Sequence, residues 1–218
     1  GLLSTRAQTI PPRRIHAIQV QQPFFWRFLG WYRVSILQAG YGAKDTDSDK
    51  QQSSQILIPV GTRKDVEFAL WMVFNDLGVD DVPSFIEAAL AGKGSGQGFV
   101  QMSPRARCLD PFAYHRRARA ITRTTFVIRD GWLIWKSMWA PIARLQSVRV
   151  QSGPLERKLG VASLHMDVVP GAFKMIAEHQ DASQAGADIH TLLIEGQANR
   201  ASEPPEKWML RVENGMHS

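Results

Sequence analysis

The residues best able to do chemistry are gathered in one short run, Pro23-Phe24-Phe25-Trp26-Arg27-Phe28-Leu29-Gly30-Trp31. Aromatic rings interleaved with an arginine suit a membrane interface, where an apolar body and a charged head are both satisfied, or a protein hot spot. Neither is catalysis. For catalysis the residue types exist but the spacing does not. Six histidines, at 16, 115, 165, 179, 190 and 217, are scattered along the chain. His165 and Asp167 share a strand face by parity, yet no nucleophile pattern accompanies them. Asp188 and His190 are two apart on a helix and point in different directions. The stretch Gly92-Lys93-Gly94-Ser95-Gly96-Gln97-Gly98 matches a phosphate loop only in its glycine count. It lacks the terminal Lys-Ser/Thr and reads as a flexible linker. Cys108 is the single cysteine. It supports neither an internal disulfide nor a zinc set, and it fits a reducing compartment. No enzyme, cofactor or metal site is expected.

The run that carries the aromatics is one of two versions of the same pattern. With the chain shifted by 130 residues, Gly1 falls on Gly131, Pro11 on Pro141, Arg14 on Arg144 and Val20 on Val150. Arg27 falls on Arg157, Leu29 on Leu159 and Gly30 on Gly160. An internal repeat sets the architecture before any local detail. Farther on, Thr62-Arg-Lys-Asp65 and Asp181-Ala-Ser-Gln184 both have the spacing of a helix start, now 119 residues apart. The first copy therefore carries 11 extra residues, placed in the polar stretch 41–55 as a long hairpin loop.

The second copy shows the elements most clearly. Phe126–Arg129 and Trp132–Ala140 read as strands joined through an Asp130-Gly131 turn. Val148 and Val150 alternate with Arg149 and Gln151, giving one apolar and one wet face. Gly153-Pro154 ends that strand. Leu155 and Leu159 span one helical turn, which Gly160 leaves in a left-handed conformation. Leu164, Met166 and Val168 alternate again, and 174–178 is a last strand. Ala182, Ala185, Ile189, Leu192 and Leu193 form the stripe of a closing helix. In the first copy that helix is expected over 63–77, with Val66, Leu70, Val73 and Leu77 inward and Gly78 at its end. The fold class is thus mainly β with C-terminal helices (α+β): two tandem bent sheets or barrels, each closed by one amphipathic helix.

The composition is that of an ordinary globular chain, 44% hydrophobic and 21% charged among 218 residues. The net charge of +6 suits nucleic acid or an anionic surface. The charges are scattered, which disfavours a nucleic-acid face. The densest basic cluster, His115-Arg116-Arg117-Ala118-Arg119, precedes a strand and is expected to be solvated. No run of about 18 apolar residues is present to span a bilayer.

The run Pro141-x-x-Arg144-Leu-Gln-Ser-Val-x-Val150, followed by Gly153-Pro-Leu-x-Arg157-x-Leu-Gly160, resembles the bacterial pleckstrin-homology (PH)-like, membrane-flanked domain family. The region from Pro11 to Gly30 does so more loosely. The resemblance implies PH-like barrels with C-terminal helices, in bacterial membrane proteins that often carry several such domains. The chain is accordingly expected to be a soluble portion of a longer membrane protein, at the cytoplasmic face of the plasma membrane. The expected division is 1–78 for a first module lacking its opening strands, 79–100 for a linker with a short helix, 101–198 for a second module and 199–218 for a mobile tail. A module without its opening strands leaves a sheet edge to be covered or to pair with another copy. Phosphoinositide binding by eukaryotic PH domains uses a basic first hairpin. The hairpin Ile128-Arg129-Asp130-Gly131-Trp132 is tight and nearly neutral, so that ligand is not carried over.

Comparison between the copies selects the candidate contacts. Glu156 and Lys158 are charged and expected to face water; Trp26 and Phe28 stand at the same positions. Phe24, Trp26, Arg27, Phe28 and Trp31 are therefore expected at a membrane surface or a partner, joined by Trp135, Trp139, Arg157 and Lys158. Arg14 and Arg144, before the central strand of each copy, either contact a headgroup or tie strand-start carbonyls, and a repeated position points to the second. Gly30 and Gly160 are structural. The expected role is a non-enzymatic binding or assembly module near the bilayer. The alternatives are a scaffold docking on other domains of the same protein without lipid and, more weakly, a basic nucleic-acid binder.

Overall fold

The computed structural model describes residues 15–38, 54–74, 76–169 and 173–202. Arg14, most of the expected hairpin loop and residues 203–218 of the expected tail lie outside them. The repeat is visible as structure. The first copy runs β1 (Ile15–Pro23), α1 (Trp26–Leu29), β2 (Tyr32–Gln38), β3 (Ser54–Gly61) and α2 (Arg63–Val73). The second ends with β8 (Ser147–Gln151), α4 (Pro154–Leu159), β9 (Val161–Val169), β10 (Phe173–Asp181) and α5 (Ala182–Ser202). Between them lie α3 (Val82–Leu90), β4 (Phe99–Gln101), β5 (Ala118–Ile121), β6 (Thr125–Asp130) and β7 (Ile134–Pro141).

Of the two expected forms, bent sheets or barrels in tandem, the closed barrel needs correction. Among the described residues neither sheet closes on itself. One sheet has seven strands in the order β3-β2-β1-β7-β6-β5-β4, and the other has three, β10-β9-β8. The reason lies at β1. Its outer edge would carry unpaired backbone groups, and β7 of the second copy satisfies them. The two run antiparallel with Ile18 opposite Trp139, Val20 opposite Ser137 and Gln22 opposite Trp135.

Alternation of side chains along these strands gives the large sheet two apolar faces. One face, with Ile18, Val20, Val34, Val127 and Trp139, packs against α2 and α3. The other, with Ala17, Leu37, Phe126, Ile128 and Ala140, packs against the three-stranded sheet and α5 through Leu164, Met166, Met175 and Leu192. The stretch expected as a linker contributes to this interior, because Phe85, Ile86, Ala89 and Leu90 of α3 are buried. Phe85 meets Trp139 edge to face at 5.8 Å.

The helix starts follow local chemistry. The Thr62 N–H donates to Asp65 Oδ2 at 2.7 Å, and Asp181 Oδ1 accepts from the Ser183 N–H at 3.1 Å. α2 stops at Val73, short of the expected end at Leu77. In α5 Ala185 and Leu192 are buried, but Ala182 and Leu193 of the expected stripe are exposed.

Of the basic cluster expected in water, His115 is exposed but the arginines are inside. Arg116, Arg117, Arg119 and Arg129 are all buried. Arg117 pairs with Asp110, Asp130 and Glu178 at 2.9, 2.9 and 2.7 Å. Burial opposes its charge, but Asp130, Glu178 and Asp110 outweigh that and raise its pKa. Arg119 binds Asp188 of α5 and Gln180 of β10. Arg116 donates to the carbonyls of Ala89, Leu90 and Gly92, and Arg129 to those of Ala88, Gly94 and Arg116. These two cations sit where the end of α3 offers unsatisfied carbonyls and a negative dipole. Desolvation, then the charges of Arg129 and Arg27, pulls Arg116 down to about 9, and desolvation brings Arg129 to about 10. The glycine stretch after α3 is therefore a built turn. Its carbonyls accept from arginines, Gly94 and Gly98 adopt φ of 68° and 80°, and a Cβ on Gly92 would meet the Ala88 oxygen at 2.3 Å.

Candidate contact surface

The aromatic run is placed by the junction between the copies. β1 ends opposite the start of β7, Pro23 facing Ile134. The turn 24–31 therefore lies beside the β6–β7 hairpin at 131–134. α1 is a single helical turn closed by Gly30 at φ 64°, and Gly160 closes α4 at φ 66°. Both glycines hold the left-handed position that the repeat predicts.

Arg27 locks the two loops together. Its Nη2 donates to the carbonyls of Trp132 at 2.6 Å and Leu133 at 2.8 Å. Its guanidinium carbon stands 4.0 Å from the centre of the Trp135 ring and 5.3 Å from that of Phe24. Burial lowers its pKa. Arg27, expected at a membrane surface or a partner, is thus a clamp within the chain. Trp135 is half-buried, with Arg116 also against its ring at 4.3 Å.

Around that clamp the surface is apolar. Phe25 and Phe28 are 75% and 77% exposed, and Phe24, Leu29 and Trp31 are exposed beside them. Trp132, Leu133 and Ile134 of the hairpin are exposed too, and Phe112 lies against Trp132 at 4.8 Å between ring centres. The sequence reading missed Phe25, Leu29, Phe112 and the hairpin residues. The signal available for the hairpin was that Trp132 and Leu133 directly follow an Asp-Gly turn, where apolar side chains cannot pack into their own sheet.

The comparison of turns needs a correction at one position. Phe28 and Lys158 both face water, but Trp26 and Glu156 do not. The Glu156 carboxylate accepts from the Gly153 N–H at 2.7 Å and from Ser163 Oγ at 2.8 Å, and lies 3.0 Å from His179 Nδ1. Burial opposes its ionisation, yet hydrogen bonds from Gly153, Ser163 and His179 hold its pKa below the ordinary carboxylate value. Trp26 is half-buried against Trp31 and carries the Arg33 guanidinium 5.5 Å from its ring centre. Arg33 is the repeat equivalent of Ser163. The same two positions touch in both copies, by cation–π contact in one and a hydrogen bond in the other.

Other expected sites resolve as follows. Trp139 is 0% exposed, with its indole N–H on Ser137, so it is a core residue and no surface contact. Its strand face is covered by α3, which the sequence reading had placed in a linker. Arg157 and Lys158 are exposed on α4, which packs on β9 and on the turn at 104–106. Arg144 donates to the Ile15 carbonyl at the start of β1, the structural role its position suggested. Asp167 accepts from Ser147 at 2.6 Å and pairs with Arg149, and Asp188 holds Arg119. Both serve the fold. Among the described residues no group of three or more His, Cys, Asp or Glu could hold a metal ion, and no helix is long and apolar enough to cross a membrane.

A family model for the bacterial PH domain matches residues 1–69 and 107–188. Those two segments fall on the two copies of the repeat, and residues 70–106, with α3 and the glycine turn, lie between them. No curated protein and no solved structure matches the chain. Two matched segments covering well over half the chain, on a repeated meander-and-helix unit, place it: the protein belongs to the bacterial PH domain family.

Proposed function

We propose that the protein is a non-enzymatic PH-like binding module that rests the aromatic end of its seven-stranded sheet on an anionic membrane surface. The observation that carries this reading is the junction of the turn 24–31 with the hairpin 131–134. There Phe25, Phe28, Leu29, Trp132 and Leu133 are exposed together on two loops that Arg27 joins. A contiguous apolar patch of this kind is unusual on a free surface. Aromatic rings favour the headgroup level of a bilayer, and the net charge of +6 favours an anionic one. The cytoplasmic face of the bacterial inner membrane, within a larger membrane protein, is the setting this reading assigns.

Co-sedimentation with vesicles tests it. The chain should pellet with anionic vesicles, and Phe25→Ser combined with Phe28→Ser should abolish pelleting without loss of fold. These two positions are better than Trp26, whose ring is part of the turn's own packing. Failure of the wild type to bind anionic or neutral vesicles would sink the membrane reading.

A second reading has its own support. On α2, Phe68 and Trp71 are exposed and adjacent, 6.3 Å between ring centres. They stand beside a groove of about 340 Å³ between α2 and α3, lined by Leu70, Phe74, Val82 and Ile86. Such a groove suits a segment of another domain of the same protein, docked without lipid. Under that reading Trp71→Ser disrupts assembly while vesicle binding is absent.

A further inference from the structure

The repeat makes β1 and β8 equivalent strands. One edge of β1 pairs with β2 and the other with β7, the strand that leads into β8. The second copy thus lends the strand before its β8 to the first. With the shift of 130 residues, β7 falls on residues 4–11, which precede β1 and lie outside the described residues. Among the described residues β8 pairs with β9 alone. Val150 lies opposite the fully buried Leu164 and is 37% exposed, whereas its equivalent Val20 is 2% exposed. The two copies also meet where these strands begin. The turn 142–144 carries the chain from β7 to β8, and Arg144 in it donates to the carbonyl of Ile15, the first residue of β1. The entry to β1 is therefore held beside the entry to β8.

We infer that residues 4–11 close the outer edge of β8 as an antiparallel strand, in the register β7 takes on β1, so that the two copies lend each other a strand. Thr9 would lie opposite Val148, Ala7 opposite Val150 and Thr5 opposite Ser152, as Trp139, Ser137 and Trp135 lie opposite Ile18, Val20 and Gln22. The residue types fit these places. Ala7 is small where Ser137 is small, and Ile10 stands where Ala140 is buried between the sheets. Thr9 replaces Trp139, whose ring packs on Phe85 of α3, a helix outside both matched segments. A β-branched residue suits the same strand position without that helix. Pro11 would lie opposite Gln146, two residues from Arg144, so only Pro12, Arg13 and Arg14 need bridge to Ile15. The backbone groups on the edge of β8 would gain ladder hydrogen bonds, and Val150 would lose its contact with water. The inference is independent of any lipid contact.

The test uses the full chain with Cys108→Ser, which leaves no native thiol. Ala7→Cys with Val150→Cys is compared with Arg6→Cys with Val150→Cys in a glutathione redox buffer. The first pair should close within the chain at least about tenfold faster, because residue 6 would present its thiol on the opposite face. Equal rates overturn the inference. Trapping only as disulfide-linked dimers also overturns it, because a second copy would then supply the strand. A second measurement needs no cysteine. Neighbouring amides of a strand point to opposite edges, so Ala7→Pro combined with Gln8→Pro removes one donor to β8. Amide exchange in β8 should then rise by about tenfold or more, with β10 unchanged. Unchanged exchange in β8 overturns the inference.

Discussion

The first copy, β1–β3 with α2, and the second, β8–β10 with α5, are built from one pattern but are stabilised differently. The first is fused into a seven-stranded sheet and has its core completed by Trp139 and Phe85, neither of which belongs to it. Among the described residues the second keeps its three strands to itself and leaves β8 at an edge. Their turns diverge in the same sense. α4 is closed by a network of Glu156, Ser163 and His179, whereas α1 uses Trp26, Trp31 and Arg33 and turns Phe25 and Phe28 outward. A repeated backbone therefore does not imply repeated work. The first copy joins β7 and exposes an aromatic turn, and the second has a self-contained, hydrogen-bonded turn.

The sharpest way to break this comparison is Trp139→Ala. Loss of a fully buried indole from the borrowed core should cost about 3–5 kcal/mol in urea unfolding, and amide exchange should rise in β1 more than in β8. Equal acceleration in both strands would show that the first copy does not depend on β7. Next comes the same substitution at equivalent positions. Val20→Ala should cost about 2 kcal/mol through lost burial and a residual cavity, and Val150→Ala a comparable amount where residues 4–11 cover it. A cost of only about 0.5 kcal/mol at Val150 would mean that the β8 edge is bare in solution.

A smaller effect separates the two turns by pH. The Glu156 carboxyl has a lowered pKa in the folded protein, so its stabilising contribution is complete above the ordinary carboxylate value. It is lost as pH falls through the lowered, folded value. Glu156→Gln should therefore remove about 1–2 kcal/mol near neutral pH and flatten the acid limb of the stability curve. The equivalent Trp26→Phe should leave that limb unchanged. The smallest effect on stability is expected for Phe25→Ser with Phe28→Ser, within about 0.5 kcal/mol. Thermal melts would check that, and the same variant is the one expected to abolish vesicle binding.

Much of the fold was legible because its signals are local. An ungapped shift aligned the copies, and the left-handed glycines at 30 and 160 were called for by the residues before them. Helix caps at Thr62 and Asp181 followed from spacing. The candidate surface was half legible. Phe24, Phe28 and Trp31 are exposed as expected, but Trp139 is core and Arg27 is a clamp. The charged run 115–119 misled most. An arginine that caps the end of α3 and one that faces water look alike in sequence, since the carbonyls of Ala89 and Leu90 announce nothing in their side chains.

Taken alone, the order of residues determined the period of each strand and helix, the positions of the turns and the existence of two copies. These depend on side-chain alternation and backbone conformation over a few residues. Only the tertiary structure decided which edges are covered, which cations are buried and which rings remain outside. Those outcomes depend on partners far along the chain: Arg27 on the Trp132 carbonyl 105 residues away, Arg119 on Asp188 69 residues away, and β1 on β7 across the whole of the intervening region. A strand edge or a buried guanidinium is satisfied by whatever the folded chain brings to it, and no local pattern specifies that partner.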